Sequence, residues 1–249
     1  MTTRILLLAD IHGNFPALEA IARELHPASF QFIVNCGDSL VYAPFANETI
    51  DWLAAHRAIS ILGNTDENVI RLLQGKTVKK PGKPEKRIMY TTTADALGPA
   101  EQRYLLTLGK TAELAIPATA ATYPEKPVKI GIFHGSPADP DEFLFADTPD
   151  ERFHELAEKT DCRIVVTGHS HSPYHKYLSA THFINPGSAG RMFDGDPRGC
   201  CASLEIAGDI VTVRHFRIAY KIDQVVAAIR EQRLPEIYTT MFQQGRKLN

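Results

Sequence analysis

Seven polar side chains follow short apolar runs, and their types are those that bind transition metals. They are Asp10, His12, Asp38, Asn64, His134, His169 and His171. A single aspartate or histidine in such a position is more often a helix cap or a structural residue than a ligand. Three carboxylate or amide oxygens and four imidazoles, several of them beside glycine, match what two adjacent divalent ions require. We therefore expect a pair of divalent transition-metal ions as the cofactor.

Mixed nitrogen and oxygen ligation favours manganese or iron, with zinc, cobalt or nickel as alternatives. It disfavours calcium and magnesium, which prefer oxygen ligands alone. Two such ions, about 3.5–4 Å apart, generate hydroxide at neutral pH and stabilise charge on both sides of an in-line displacement. A carboxylate has to lie between them, because it can bridge both ions and offset their repulsion. The set predicts a hydrolase of phosphate esters or anhydrides, in which a hydroxide between the metals attacks phosphorus.

The first part of the chain, which contains the oxygen ligands Asp10, Asp38 and Asn64, alternates between predicted strands and helices. Three buried strands are predicted, at Ile5–Ala9, Phe32–Cys36 and Ala58–Leu62. Helical periodicity between them indicates a largely parallel sheet with helices packed against it. The oxygen ligands would then meet at the carboxyl edge of that sheet, where α/β folds bind their ligands.

The second half of the chain brings the histidines. Strands predicted at Val128–Phe133 and Arg163–Thr167 end just before His134 and His169. Two later apolar stretches are joined by Gly208-Asp209, which is a hairpin signal, so this half is expected to be antiparallel or mixed. No linker separates the two halves.

We expect one domain over residues 1–249, with a basic loop and a helix inserted at about 75–110. The basic loop is Lys76–Arg87, which carries six cations against the single acid Glu85. Prolines and a glycine interrupt its periodicity. One interpretation is a solvated, mobile loop, and the other is a basic flap over a polyanionic substrate.

The composition excludes several classes of function. Hydrophobic residues make up 44% of the chain, as in an ordinary globular protein, and the formal net charge of −2 provides no basic field for nucleic acid. No apolar run approaches the roughly 20 residues that span a bilayer. The four cysteines have neither CxxC nor zinc-finger spacing. We expect a cytoplasmic protein with no membrane partner and no dedicated nucleic-acid binding.

The order of the motifs D-x-H, G-D, G-N-x-D, H-G and G-H-x-H resembles the calcineurin-like metallophosphoesterase superfamily. The match runs from Asp10 to Ser188. The resemblance implies an α/β (α+β) fold, a four-layer αββα sandwich of two mixed β-sheets flanked by helices. It also implies how the ligands are shared. One ion would take Asp10, His12, Asp38 and His171, and the other Asp38, Asn64, His134 and His169, with Asp38 as the bridge. The implied catalytic residues are Asp38, Asn64, Asp66 and His134, with Asp66 orienting a neighbouring ligand.

Two further stretches resemble the bacterial and archaeal phosphodiesterase branch of that superfamily, some members of which cleave diadenosine tetraphosphate. The run Asp10–Asn14 is followed by Pro16, and Asn185–Ser188 leads into Asp194–Arg198. This resemblance implies a small phosphorylated substrate, and in particular a nucleotide.

Thr65 stands where the wider superfamily has a histidine that assists the leaving group. General acid catalysis is worth roughly 10²–10⁴ in rate when the leaving group is poor. A phosphate leaving group, whose second pKa is about 6, departs largely unassisted. The departure at Thr65 therefore favours anhydrides and nucleotide or aryl diesters over alkyl phosphates. His154, Asp66 or a metal-bound water remain as alternative proton donors.

Three residues near the motifs have two interpretations each. Arg191 and Arg198 follow the Asn185–Ser188 turn, and each is either a donor to substrate phosphate or a surface arginine. Asn14 either caps a helix or contacts phosphate. We expect Asn14 and Arg191 to bind substrate.

Three other functions remain open. Thr65 disfavours a phosphomonoesterase or a protein Ser/Thr phosphatase. The retromer subunit with this fold is an interaction scaffold. Such a role needs no metal, so the complete set of metal ligands in this chain disfavours it. The net charge and the lack of an aromatic-basic stripe disfavour cleavage of nucleic acid.

Overall fold

The structure, a computed structural model, describes residues 2–78, 82–117 and 127–249, and within these ranges the chain forms ten strands and eight α-helices. The strands are β1 (Thr2–Leu8), β2 (Phe32–Asn35), β3 (Ile59–Ser60), β4 (Thr111–Ile116), β5 (Val128–Phe133), β6 (Ile164–Val166), β7 (Tyr174–Leu178), β8 (Thr181–Asn185), β9 (Gly199–Ala207) and β10 (Ile210–Ile218). The helices are α1 (Phe15–Leu25), α2 (Ala46–Ala55), α3 (Asn64–Leu73), α4 (Pro84–Ala96), α5 (Pro99–Thr107), α6 (Asp150–Ala157), α7 (Ile222–Glu231) and α8 (Ile237–Gln244). None of these helices combines the length and the apolar character that crossing a bilayer requires.

The strands form two mixed sheets of five strands each. The first has the order β10-β9-β1-β2-β3, in which β1, β2 and β3 run parallel, β9 is antiparallel to β1, and β10 is antiparallel to β9. The second has the order β4-β5-β6-β8-β7, with parallel β5, β6 and β8 between antiparallel edge strands. In each sheet the parallel strands bring their carboxyl ends to one edge.

Strand β1 shows how the layers are stacked. Ile5 and Leu7 belong to the apolar cluster between the two sheets, whereas Leu6 and Leu8 pack against helices on the opposite face. Successive residues of a strand point to opposite faces, so a run that is apolar on both faces belongs to a strand covered on both sides. A third cluster, under α6, covers the outer face of the second sheet. The predicted sandwich of two mixed sheets between helices is confirmed.

The basic segment Lys76–Arg87 is not a loop throughout. Residues 79–81 lie outside the described ranges, but α4 begins at Pro84, so the end of the segment is helical. The N–H groups in the first turn of a helix have no partner within the helix, so a proline there loses no hydrogen bond. Its fixed φ angle also matches that of a helix. The sequence interpretation treated Pro84 as a break, and for residues 84–87 it is wrong.

Candidate active site

The predicted ligands come together where the carboxyl ends of the two sheets meet. The side chains form two groups, and within each group they lie close enough together to bind one ion. The first is Asp10, His12 and His171, and the second is Asp38, His134 and His169, with ligand atoms within 4.8 Å of one another in each group. We call them the first and the second cluster. Asn64 joins the second, because its Oδ1 lies 3.1 Å from Nε2 of His134.

Most of these residues have a strained backbone. The φ angles of five ligands are positive: Asp10 at 52°, His12 at 54°, Asp38 at 52°, His169 at 64° and His171 at 55°. Such a conformation costs a side-chain-bearing residue about 1–3 kcal/mol and persists only where the surroundings enforce it. Hydrogen bonds between the first two loops enforce it here, from the N–H of Asp10 to Gly37 O (3.0 Å) and from the N–H of His12 to Asp38 O (2.9 Å).

The two histidines of the first cluster are fixed with their lone pairs facing each other. Nδ1 of His12 donates to the carbonyl of Leu40 at 3.2 Å, and Nδ1 of His171 donates to the carbonyl of Arg191. A carbonyl can only accept, so each Nε2 carries a lone pair. These two Nε2 atoms are 3.2 Å apart, and Oδ1 of Asp10 lies 3.5 Å from that of His171. Electron pairs this close repel unless a cation lies among them, so the donor set fits a metal ion.

In the second cluster, too, hydrogen-bond acceptor atoms face one another. Nδ1 of His134 donates to the carbonyl of Cys36 at 2.8 Å, so its Nε2 is an acceptor. That Nε2 faces Asn64 Oδ1 at 3.1 Å and Nδ1 of His169 at 3.0 Å. An amide oxygen and an imidazole lone pair cannot form a hydrogen bond with each other. These atoms also fit a cation.

Asp38 lies between the two clusters. Its Oδ2 is 3.8 Å from Nε2 of His12, and its Oδ1 is 3.5 Å from Nε2 of His134. The backbone N–H of Thr65 donates to Oδ1 at 2.8 Å and holds the carboxylate in this orientation. One carboxylate oxygen therefore faces each cluster.

Burial sets the charge of these groups. It lowers the pKa of His12 and His171 well below the usual range of histidine, and that of His169 to about 4, with neighbouring imidazoles adding to the effect. Burial and then the charge of Asp38 raise the pKa of Asp10. The imidazoles of these three histidines are therefore neutral, with free lone pairs, and repulsion from Asp38 disfavours the anionic form of Asp10. Cations at the two clusters would relieve that repulsion.

Asp66 lies behind the ligands. It is fully buried, and its oxygens accept from the N–H groups of Ser39 (3.2 Å), Leu40 (3.0 Å) and Gly63 (3.0 Å). Burial and then Asp38 raise its pKa to about 7, although these hydrogen bonds oppose the shift. Asp66 thus fixes the loop after β2 to the start of α3. Its carboxylate oxygens therefore face the backbone of the loops that carry Asp38 and Asn64.

Thr65 supports the ligands as well. Its hydroxyl donates at 3.2 Å to the carbonyl of Leu40, which also accepts from Nδ1 of His12, and only 2% of the residue is exposed. The hydroxyl is therefore engaged within the protein.

Asn14 is a helix cap. Its Oδ1 accepts from the N–H of Ala17 at 3.1 Å at the start of α1, and its Nδ2 donates to the carbonyl of Gly190 at 2.7 Å. It is fully buried. Both ends of the side chain are bonded within the protein, so we withdraw Asn14 as a substrate-binding residue.

The two arginines differ. Arg198 pairs with its neighbour Asp196 at 2.6 Å on the surface, as the simpler interpretation expected. Arg191 is 6% exposed, and its guanidinium carbon lies 3.7 Å from the centroid of Tyr42. Tyr42 in turn lies 5.1 Å from the ring of His12. The structure therefore places the Arg191 cation beside the first cluster.

Aromatic rings around the site were missed in the sequence. Phe193 stacks on His171 with centroids 4.2 Å apart, and Phe143 stacks on His169 at 4.0 Å. Phe143 is 51% exposed and lies parallel to Phe145, which is 39% exposed. The signal was present as Phe143 and Phe145 in a loop rich in proline and aspartate, but only the fold brings that loop to a ligand histidine.

The geometry agrees with the comparison with known proteins. The calcineurin-like phosphoesterase superfamily domain matches residues 3–209. The chain belongs to this superfamily. It is accordingly a metal-dependent phosphoesterase, and its two side-chain clusters are candidate metal sites.

Several known proteins resemble the chain over nearly its whole length. An uncharacterized protein of Methanocaldococcus jannaschii is 26% identical, and the match covers 93% of this chain and 94% of that one. A metallophosphoesterase from Sphaerobacter thermophilus is 25% identical with a TM-score of 0.77, covering 98% and 100% of the two chains. A hypothetical protein from Pyrococcus horikoshii is 17% identical, with a TM-score of 0.83 over 98% and 99%, and shows the same fold.

Proposed function

We propose that this phosphoesterase uses two metal ions to hydrolyse phosphodiester or phosphoanhydride bonds, and that its substrates are nucleotides. The observation that carries the proposal is the position of Asp38, with one oxygen toward each of two clusters of facing lone pairs. A site for a single ion would need only one such cluster. The chemistry that two divalent ions supply is activation of water and stabilisation of charge on the phosphoryl oxygens.

The ligands divide between the ions as the motifs imply. One ion would be held by Asp10, His12, Asp38 and His171, and the other by Asp38, Asn64, His134 and His169. Nitrogen and oxygen donors in these numbers favour manganese or iron, with zinc, cobalt and nickel as alternatives. The carbonyls of Leu40, Cys36 and Arg191 orient three of the imidazoles, which is the usual means of fixing the histidine tautomer at a metal.

Asp66 and His154, the two residues named as alternative proton donors, have other partners within the protein, and so does the hydroxyl of Thr65. The oxygens of Asp66 accept from backbone N–H groups, and the Thr65 hydroxyl donates to a carbonyl. His154 is exposed on α6, where its Nδ1 lies 2.6 Å from the hydroxyl of Ser179. A substrate whose leaving group needs no proton suits such a site, and this favours anhydrides and aryl or nucleotide diesters over alkyl monoesters.

Phe143 supports a nucleotide as the substrate class. It stacks on His169 and is half exposed, and Phe145 lies parallel to it with centroids 6.4 Å apart. Exposed aromatic rings stack on nucleobases whatever the base, because every base presents a π-face. A base lying on Phe143 would keep its phosphates near the second cluster. Four buried free thiols also fit the cytoplasm, where nucleotides are abundant and thiols stay reduced.

The proposal is tested by metal content and activity together. We expect about two equivalents of manganese in the loaded protein, and loss of both metal and activity in Asp38→Asn. Asp95→Asn, on the exposed end of α4, makes the same chemical change away from the clusters and should keep both. One equivalent in the wild type, or full metal and activity in Asp38→Asn, would refute the two-metal site.

A substrate panel tests the bond that is cleaved. It should contain diadenosine tetraphosphate, a 2′,3′-cyclic nucleotide, an aryl diester, an aryl monoester and a phosphopeptide. We expect the first three to be cleaved with the highest kcat/KM. A preference for the phosphopeptide or the monoester would identify a phosphatase instead, and metal binding without any hydrolysis would indicate an interaction scaffold.

A further inference from the structure

The guanidinium of Arg191 is buried against aromatic rings. Its carbon lies 3.7 Å from the centroid of Tyr42 and 4.9 Å from that of Phe193. Among the described residues its Nε has no hydrogen-bond partner, and Nη2 contacts only the sulfur of Met241, at 3.8 Å. An arginine stays charged even when buried. A buried cation with a free donor is costly unless an anion binds to it.

Three lysines extend this positive charge toward the surface. Lys83 and Lys86 lie at the start of α4, and Lys247 follows α8. Burial, and then the charges of Lys247 and Arg191, lower the pKa of Lys86, and burial followed by Arg191 lowers that of Lys247. Lys86 and Lys247 are therefore each within electrostatic reach of Arg191 and Lys83, and Glu85 opposes these charges at Lys86. We call these four residues the cationic pocket.

The cationic pocket is continuous with the first cluster. The backbone carbonyl of Arg191 accepts from Nδ1 of His171, and the Phe193 ring stacks on that imidazole at 4.2 Å. On the other side, Nζ of Lys247 lies 5.6 Å from the centroid of Phe193. The Phe193 ring thus lies beside His171, Arg191 and Lys247, so a linear anion bound at the ligand histidines would extend along this ring toward Lys247.

We propose that the cationic pocket binds the polyphosphate chain of a nucleoside or dinucleoside polyphosphate, beyond the phosphate that reacts. This inference rests on the phosphoesterase function proposed above and deepens it. Arg191 presents a fork of donors that suits one phosphate, and the lysines act as point charges for the following ones. A substrate with a single phosphate does not reach the lysines. The enzyme should therefore select substrates by the length of their phosphate chain.

Binding of inorganic tripolyphosphate and of orthophosphate tests the pocket without catalysis. We would titrate the full-length protein by calorimetry, with wild type, the double variant Lys86→Gln/Lys247→Gln, and Lys159→Gln as a matched control. Lys159 is an exposed lysine at the end of α6. The double variant should bind tripolyphosphate at least tenfold more weakly, a loss of about 1.4 kcal/mol, because two charge-assisted contacts are removed. Its affinity for orthophosphate should change less than threefold, and Lys159→Gln should match the wild type.

Competition kinetics provide the second measurement. In metal-loaded enzyme with metal in excess, tripolyphosphate should inhibit hydrolysis of an aryl diester more strongly in wild type than in the double variant. Adenosine tetraphosphate should compete better than tripolyphosphate if the occupant is a nucleotide, whereas equal competition would assign the pocket to inorganic polyphosphate. Stronger competition by a single-stranded oligonucleotide would overturn the proposal in favour of nucleic acid.

The outcomes separate this inference from the proposed function. If tripolyphosphate binds as expected but no nucleotide is hydrolysed, the pocket stands and the proposed function fails. If nucleotides are hydrolysed but the double variant binds both phosphates as the wild type does, the pocket is wrong. Equal losses in the double variant and in Lys159→Gln would also overturn it, because the effect would then be one of net charge.

Discussion

Gly63 provides a stringent test of the site geometry, because it touches the carboxylate that both clusters share. A Cβ added at this position would lie 2.2 Å from Oδ1 of Asp38, 2.3 Å from the backbone nitrogen of Asp38 and 2.8 Å from Cε1 of His134. Its φ of −95° is one that alanine adopts freely, so a methyl group there acts through contact alone. Two of these contacts are more than 1 Å shorter than the roughly 3.5 Å of ordinary packing.

Gly63→Ala must therefore displace the loop that carries Asp38 by about 1 Å. The carboxylate cannot simply rotate away, because the clash includes backbone nitrogen and Thr65 N–H holds the carboxylate from the other side. A displacement of 1 Å at a reacting centre costs about 10²-fold in rate. We expect kcat/KM for an aryl diester to fall about 100-fold, with metal bound more weakly.

The matched control is Gly82→Ala. A Cβ at Gly82 would meet nothing within 4 Å, so the same substitution should leave kcat/KM and metal content unchanged. Steady-state kinetics and elemental analysis of both variants are the assay, with circular dichroism to verify that each is folded. A folded Gly63→Ala enzyme with wild-type activity and two equivalents of metal would refute the placement of Asp38 between the clusters.

Three further predictions concern groups around the ligands. Asp66→Asn leaves one acceptor oxygen for three backbone N–H groups, and should lower the free energy of unfolding by about 1–3 kcal/mol in urea titrations; an unchanged midpoint would contradict its positioning role. Phe143→Ala should raise KM for a nucleotide roughly 5- to 150-fold, the value of one base–aromatic stack, but not KM for pyrophosphate, and equal effects on both would exclude base stacking. Burial and then His175 lower the pKa of His182 to about 4. Between about pH 6.5 and 4 the unfolded chain therefore binds a proton that the folded protein does not. The free energy of unfolding falls as the pH falls through this window. His182→Gln should flatten the decline of unfolding free energy between pH 6.5 and 4, and a slope equal to that of wild type would rule out this histidine as its source.

The sequence was a good guide to the elements that carry the site. The strand Val128–Phe133 has the predicted bounds, because a continuous apolar run leaves little freedom in a packed sheet. Predictions failed where local signals were ambiguous. β4 was not expected, since half of its residues are exposed and its apolar pattern is weak. Pro84 marks the start of a helix as readily as the end of a loop.

The sequence alone gives the types of the metal-binding side chains and their order along the chain. Each residue type limits the chemistry that its side chain can perform. Because the ligands follow parallel strands, they are expected to meet at one edge of a sheet. The tertiary structure decided which atoms face one another. Only the fold directs Nδ1 of each of three histidines at a carbonyl and leaves the Nε2 lone pairs toward the site.

The same distinction separates the residues that were expected to bind substrate. Asn14 and Arg191 were equivalent in the sequence, each beside a motif and each able to contact phosphate. The fold gives Asn14 two partners within the protein and leaves Nε of Arg191 with none among the described residues. These surroundings are formed by residues that are distant in the chain: the carbonyl of Gly190 accepts a hydrogen bond from Asn14, whereas the ring of Tyr42 faces the guanidinium of Arg191. No local pattern encodes those neighbours, and this is why only the packed structure identifies the buried cation beside the metal ligands.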